Sequence, residues 1–535
     1  MKELLCRSDP AFRRAQAKTP LLDAVISYAK AKKVSFHTPG HKHGAGILPA
    51  YRSFASRRAF RMDLTLLPEL DSLAHPVGVI RDAQELAAKA FGADHTYFLV
   101  QGSTVGNQVM LLATCRPGDT MILPRNIHKS VVAGLTLAGV QPVFVRPPHD
   151  KKHNLFTNLS AAQVEQALAD YPHARGVMVT SPTYHGLSSD ISAIAHAVHR
   201  SDKLLLVDEA HGPHFGFHPK LPSSAMQAGA DACVQSTHKI VSGMTQASML
   251  HVRQGRVDHV AIRRALTTLQ TTSPSYLLLA SLDAARKQLA LNGKRMMDRA
   301  LSNAAVLREE IGKIAGLELL EPTAMQGTEG LSFDPLKVTI KVTGIGLSGF
   351  EVSQLLDEEH DVGAEYADFS NVLLIVSYAN SRDDLRRVVK GLAKIAAESQ
   401  KKKLRYLSER RVRMPELSET TEILPREAAF AEKRIVALDR AEGQIAAETI
   451  TPYPPGIPVL IPGERIRAEV VEYLQALAAA GTRINGYSDP EAQYLAVVAR
   501  PEEAGLPGDA LPREAARAFR PKVGRYYFTQ RVFRG

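Results

Sequence analysis

"ACVQSTHKIVSG", residues 232–243, begins as an apolar run and ends in a lysine set among hydroxyls, a histidine and a glycine. Lys239 directly follows Ser236, Thr237 and His238 and precedes a small, flexible Val-Ser-Gly. A surface lysine needs no such company. A lysine that must hold a phosphorylated carbonyl compound does, because hydroxyls and an imidazole bind phosphate while the amine reaches the carbonyl. The apolar half of the stretch reads as a buried strand, which puts the lysine just past a strand's carboxyl end.

The neighbouring sequence repeats this layout. Apolar runs at 96–100, 120–124, 140–146, 174–182, 203–212, 232–237 and 247–252 alternate with helical patterns such as "NQVMLLATC". Continuous apolar strands separated by helices predict a mostly parallel sheet covered on both faces. Ligands on such sheets bind beyond the carboxyl ends of the strands. After residue 275 the pattern turns helical and leads into a second region, with strands at 336–342 and 371–379 and helices at about 348–358 and 382–398. We divide the chain into an N-terminal arm and loop (1–66), a large domain (67–310), a smaller α/β domain (311–400) and an α+β C-terminal domain with a basic tail (401–535). "TPYPPGIPVLIPGERI" (451–466) is too rich in proline for a helix and predicts a stiff, extended path.

Three other strand ends carry chemistry. "LVQGSTVGNQ" (99–108) closes a strand and opens a helix, so Gly102, Ser103, Thr104 and the first helical N–H groups form a phosphate cup; a plain helix cap is the structural alternative. "LVDEAHG" (206–212) ends an apolar strand in Asp208, a carboxylate that is costly to bury unless a partner such as a pyridinium N–H meets it. "RNIHKSV" (125–131) offers His128 as a flat imidazole. Phosphate cup, ring-nitrogen carboxylate, ring-face imidazole and aldehyde-binding lysine together are what pyridoxal 5'-phosphate needs to act as an electron sink.

Composition bounds the partners. The chain has 535 residues, 45% hydrophobic and 23% charged, as in ordinary globular proteins. No apolar run is long enough to span a membrane, and the N-terminus lacks the apolar core of a signal peptide. Three scattered cysteines suggest neither a disulfide framework nor a zinc site, and point to a reducing cytoplasm. The net charge of +11 is spread along the chain, so solvated surface rather than nucleic-acid binding is the expectation. A cationic substrate must then be met by a local carboxylate.

At this point the chain resembles the Orn/Lys/Arg decarboxylase family, of the aspartate-aminotransferase-like fold, from about residue 19 to 500. The resemblance rests on "TPLLDAVISYAKAKKVSFHTPGHKHGAG", "DLTLLPELDSLAHPVGVIRDAQELAAKAFGAD", "CRPGDTMILPRNIHKSV", "VDEAHGPHFGFHPKLPSSAMQAGADACVQSTHK", "TTSPSYLLLASLD" and "TPYPPGIPVLIPGE". It is to the shorter members, without the N-terminal wing domain. It implies an α/β, fold-type-I enzyme that uses pyridoxal 5'-phosphate to decarboxylate a basic amino acid, with arginine favoured over lysine and ornithine. It implies that Lys239 binds the cofactor aldehyde, Asp208 meets the ring nitrogen, His128 stacks on the ring, and Ser103, Thr104, Ser236 and His238 surround the phosphate. His211 would face cofactor or substrate. Thr272, with Thr271 and Ser273, would reach a neighbouring subunit's phosphate in a homodimer or a dimer of dimers. Glu464, in the proline-rich stretch, is the expected receiver of the substrate's cationic tail; a helix-start role is its alternative. Gln101 and His185 depart from the family's usual residues.

Three other readings compete. An aminotransferase or aldolase could use the same fold. "TGIGLSGF" (343–350) carries a glycine pattern of dinucleotide sites, with Glu365 and Asp368 beyond it, but a glycine-shaped turn explains it better. His37, His41 and His43 in "HTPGHKHG" lack a carboxylate or cysteine to complete a metal set, and no metal is expected.

Overall fold

The computed structural model describes residues 9–31, 33–321, 330–402, 415–452, 456–479, 484–486 and 493–499. The chain divides into two compact units, Met1–Arg411 and Val412–Gly535.

The first unit is built on a seven-stranded sheet. Its strands are β1 (His95–Leu99), β2 (Thr120–Pro124), β3 (Gln141–Val145), β4 (Gly176–Thr180), β5 (Leu204–Asp208), β6 (Ala232–Gln235) and β7 (Ser248–Val252), in the spatial order β1-β7-β6-β5-β4-β2-β3. Every pairing from β3 to β6 is parallel, while β7 runs antiparallel to both β1 and β6. The reversal follows from the link between β6 and β7, which holds only the short helical turn Thr237–Ile240; a parallel neighbour needs a longer crossover. All five residues of β5 are buried, as a strand covered on both faces requires. Helix α1 (Gly102–Thr114) lies close on β6: a Cβ at Gly106 would come within 2.4 Å of Val234 Cγ2, so only glycine allows this approach.

The smaller lobe of this unit follows a 37-residue helix, α2 (Tyr276–Gly312). Four strands, β8 (Glu318–Leu319), β9 (Lys337–Lys341), β10 (Tyr366–Ala367) and β11 (Asn371–Ile375), form an antiparallel sheet in the order β8-β9-β11-β10. Helices α3 (Gly349–His360) and α4 (Arg382–Lys401) complete it, each opened by a serine capping box. Val338, Ile340, Leu356, Leu392 and Ile395 belong to one apolar core that continues along α2 into Phe98 and Met249 of the large sheet. The core therefore ties both lobes of the first unit together. The 343–350 glycines are packing residues: a Cβ at Gly349 would lie 2.1 Å from Asn371 O.

The N-terminal segment is clasped to α2 by a fully buried pair. Arg286 donates to the carbonyls of Gln16 and Lys18, both at 2.7 Å, and to Asp283. Asp283 in turn accepts from the N–H groups of Leu21 and Leu22. Buried charges tolerate this only because each is hydrogen-bonded several times. His41 pairs with Asp63 and the Gly44 N–H, and His37 with the Tyr28 hydroxyl and the Thr38 carbonyl.

In the second unit β12 (Lys433–Ala437) pairs antiparallel with β13 (Tyr494–Val498), and helix α5 spans Ala468–Ala479. Part of the proline-rich stretch, 453–455, and the basic tail beyond 499 lie outside the described residues, as does Cys6. Among the described residues, no helix is long and apolar enough to cross a membrane.

Candidate active site

The carboxyl ends of β1, β5 and β6 meet at one place, and each contributes a polar group there. β1 hands over to α1, whose first turn carries Gly102, Ser103 and Thr104. The helix begins at Gly102, earlier than the apolar pattern indicated, because Gly102 adopts a left-handed φ of 74° that turns the chain sharply. Ser103 Oγ lies 2.8 Å from Ser236 Oγ, joining the end of β1 to the end of β6. Thr104 is exposed. A helix N-terminus with two adjoining hydroxyls is a site for a phosphate.

Asp208 ends β5 and is 3% exposed. Its Oδ1 accepts from the Ala210 N–H at 3.1 Å and its Oδ2 from Asn107 Nδ2 at 2.8 Å. Each carboxylate oxygen can take a second donor, which leaves room for a ring N–H. Asn107, one turn into α1, also donates to Ser130 Oγ at 2.9 Å. Ser130 Oγ lies 2.8 Å from His128 Nδ1, and the Ser130 N–H caps the same nitrogen at 3.2 Å. His128 is thus held from Nδ1, and burial, outweighing the pull of Asp208, lowers its pKa to about 4. It is a neutral imidazole beside a carboxylate.

Lys239 sits in the turn Thr237–Ile240, on the last stretch before β7. Burial pushes its amine down to about 8, against the opposing effect of Asp208 and Glu365. Its Nζ lies 2.6 Å from His211 Nε2. Burial first, then the two neighbouring lysines Lys239 and Lys337, hold His211 well below the usual imidazole range. Tyr184 tilts over the His211 ring at 4.3 Å. His238 donates from Nδ1 to the Ala247 carbonyl at 3.0 Å, so its other nitrogen is left for a ligand. The loop bearing Thr271, Thr272 and Ser273 is exposed, and Gln101 tethers it by accepting from the Thr271 N–H at 3.0 Å. His185 is buried against Thr339 and Tyr366, and burial lowers its pKa to about 4.

Glu464 belongs to the second unit. It is 1% exposed, its Oε2 accepts from the Ile461 N–H at 2.9 Å, and α5 starts only at Ala468. The turn Ile461–Glu464 is what positions it, so the helix-start alternative does not describe its setting.

Sequence reading brought Lys239, Asp208, His128, Ser103, Ser236, His238 and His211 to one face, and the fold places them together. It missed Asn107, Tyr184 and Lys337. Asn107 lay inside a run read only as a helix, and its one signal was a polar residue one turn after the glycine that opens that helix. The donor set fits pyridoxal phosphate: hydroxyls at a helix N-terminus, a buried carboxylate with lone pairs to spare, and a lysine whose amine is readily unprotonated.

Residues 19–384 match the Orn/Lys/Arg decarboxylase major domain and residues 409–498 the C-terminal domain of the same family. The chain is 38% identical to an arginine decarboxylase of Bacillus subtilis over 90% of its own length and 98% of that relative. It is 40% identical to an arginine decarboxylase of Halalkalibacterium halodurans, again over 90% of this chain and 98% of that one. In fold it is similar to a lysine decarboxylase of Francisella novicida, with a TM-score of 0.78 at 24% identity, covering 90% of this chain and 81% of that one.

Proposed function

The chain belongs to the Orn/Lys/Arg decarboxylase family, pyridoxal-phosphate-dependent enzymes that decarboxylate basic amino acids, and we propose that its substrate is arginine and its product agmatine. The observation that carries the assignment of roles is the meeting of Lys239, Asp208 and His128 at the carboxyl ends of one sheet. The choice of arginine is supported by the two arginine decarboxylases, which cover nearly the whole chain at higher identity than the lysine decarboxylase.

Bound pyridoxal phosphate supplies an electron sink for the pair left on Cα when the carboxylate departs as carbon dioxide. The residues do the rest. Ser103, Thr104, Ser236, His238 and the start of α1 hold the phosphate. Asp208, oriented by Asn107, keeps the ring nitrogen's proton. His128, a neutral imidazole, would offer the ring face a flat surface that does not compete for charge. Lys239 would hold the aldehyde carbon of the cofactor. Lys239 and His211 hold the proton that returns to Cα. Glu464 receives the guanidinium.

We read the enzyme as a homodimer or a dimer of dimers, with Thr272 serving the partner's phosphate. An apolar surface in the N-terminal segment supports this: Phe36 and Phe54 are each 94% exposed and Val34 82%. Apolar exposure on that scale marks an interface.

The deciding experiment is a panel of arginine, lysine and ornithine scored by kcat/KM, with products identified. Arginine is expected to lead and to yield agmatine and carbon dioxide. Preference for lysine or ornithine would overturn the choice of substrate, and a keto acid would point to aminotransfer instead.

A further inference from the structure

Lys239 is not the only lysine on His211. Lys337, at the start of β9, places its Nζ 2.9 Å from His211 Nδ1, while Lys239 Nζ lies 2.6 Å from Nε2. One imidazole is therefore held at both nitrogens by amines, one from each lobe. Lys337 is 0% exposed, an extreme setting for a lysine that no described feature of the chemistry requires.

A proton count restricts what the three groups can be. A neutral imidazole has one donor nitrogen and one acceptor nitrogen, and an ammonium can only donate. Both hydrogen bonds can therefore persist only if at least one lysine is a neutral amine, so at most one of the two is an ammonium. Burial pushes both lysines down to about 8, so each gives up its proton far more readily than an exposed lysine.

The surroundings decide which lysine keeps the charge. Lys337 follows Asp334 in the same turn, its N–H bonded to the Asp334 carbonyl at 3.2 Å. The Asp334 carboxylate is 0% exposed and lies 3.1 Å from His214 Nε2, out of reach of solvent screening. Lys239 faces Asp208, which is hydrogen-bonded to Asn107 and Ala210, and Glu365, which is exposed, screened and felt by both lysines. Among the described residues His128 and His238 also face His211, Tyr184 packs on its ring and has its own ring centre 5.4 Å from Lys239 Nζ, and His185 faces Lys337.

We propose that Lys337 is a positioning residue: as an ammonium it donates to His211 Nδ1, fixes the imidazole with its proton on Nε2, and so presents a donor that holds Lys239 Nζ as an unprotonated amine. This deepens the reading above and rests on Lys239 being the residue that takes the cofactor. An amine with a free lone pair is the form that can attack a carbonyl carbon, and an ammonium cannot. The proton that Lys239 gives up passes to solvent, and no other bond changes.

The test reads Lys239 directly. Full-length protein stripped of cofactor is acetylated with acetic anhydride across a pH series, and modification of Lys239 is quantified by peptide mass spectrometry. Lys337→Met is expected to raise the midpoint of Lys239 reactivity by about one pH unit, because the imidazole can then turn an acceptor toward Lys239. Lys337→Gln keeps a donor for Nδ1 without the charge and is expected to shift the midpoint less; it also serves if the methionine variant does not fold. In a His211→Asn background the effect of Lys337→Gln should vanish, since the proposed action passes through the imidazole. An unchanged midpoint in folded Lys337 variants, or a shift that survives in the His211→Asn background, overturns the proposal. Borohydride reduction of the loaded wild-type protein, with the pyridoxyl group mapped, tests the cofactor assignment separately. A label on another lysine sinks that assignment without altering the acetylation result.

Discussion

Asn107 Nδ2 stands 2.8 Å from Asp208 Oδ2 and 2.9 Å from Ser130 Oγ, so one amide links the carboxylate at the end of β5 to the hydroxyl that holds His128. Asp208 and His128, the residues to which we assign the ring nitrogen and the ring face, are thereby oriented by the same side chain. Asn107→Ala removes both bonds at once. We expect kcat to fall about tenfold and stability to drop by about 1–3 kcal/mol, with KM little changed. Steady-state kinetics and chemical denaturation check this. A variant with unaltered kcat would show that Asp208 needs no such support.

Asp208→Asn keeps the shape of the strand end and removes its charge. Cofactor should still bind, as judged by its absorbance, while kcat falls by orders of magnitude. Near-native turnover would rule out the ring-nitrogen role.

Lys239→Ala should abolish turnover and the borohydride-stable label while the far-ultraviolet circular dichroism stays that of the wild type. The readout is peptide mapping after reduction, and a label on another lysine would refute the assignment.

Glu464 is buried and accepts from the Ile461 N–H, a bond that a glutamine carbonyl can also accept. Glu464→Gln should therefore leave the turn intact, lower stability by under about 1 kcal/mol, and raise KM for arginine by tens of fold through loss of charge. The preceding Gly463 offers a structural contrast. Its φ is 90°, and a Cβ there would lie 2.3 Å from the Ile423 carbonyl. Gly463→Ala should lower both stability and activity, because it displaces the turn itself. Kinetics and thermal melts of the two variants separate charge from position.

Glu209, next to Asp208, is 1% exposed, and burial raises its carboxyl to about 8. The ordinary value is 4.5, so the folded protein binds this proton more tightly than the unfolded chain does. Its stabilising effect is complete below about pH 4.5 and is lost as pH rises toward 8. Glu209→Gln should remove that component. Between pH 5 and 8 the variant's melting temperature should fall less steeply than that of the wild type, an effect on the order of 2–4 kcal/mol. Parallel slopes would contradict the assigned protonation.

Much of the first unit can be read from local pattern. The runs at 120–124 and 203–212 are apolar because strands buried on both faces must be, and they became β2 and β5. Lys239, Asp208 and His128 were legible because each follows such a run, and a polar group at the carboxyl end of a parallel strand faces the crevice where ligands bind. The direction of β7 was not read, because it depends on how little helix the 236–247 link contains.

Apolar periodicity and strand ends are properties of neighbours along the chain, and they were enough to show which residues form the large sheet and which polar groups gather at its carboxyl ends. The state of those groups was decided only in three dimensions. Lys337 and His211 are 126 positions apart, and no spacing rule joins a lysine opening a small-lobe strand to an imidazole in the turn after β5. Asn107 is an ordinary helical asparagine until α1 packs against β6 and carries it to Asp208. Burial of amines and carboxylates, and hence their charge, follows from what surrounds them on every side, and only the folded chain supplies those surroundings.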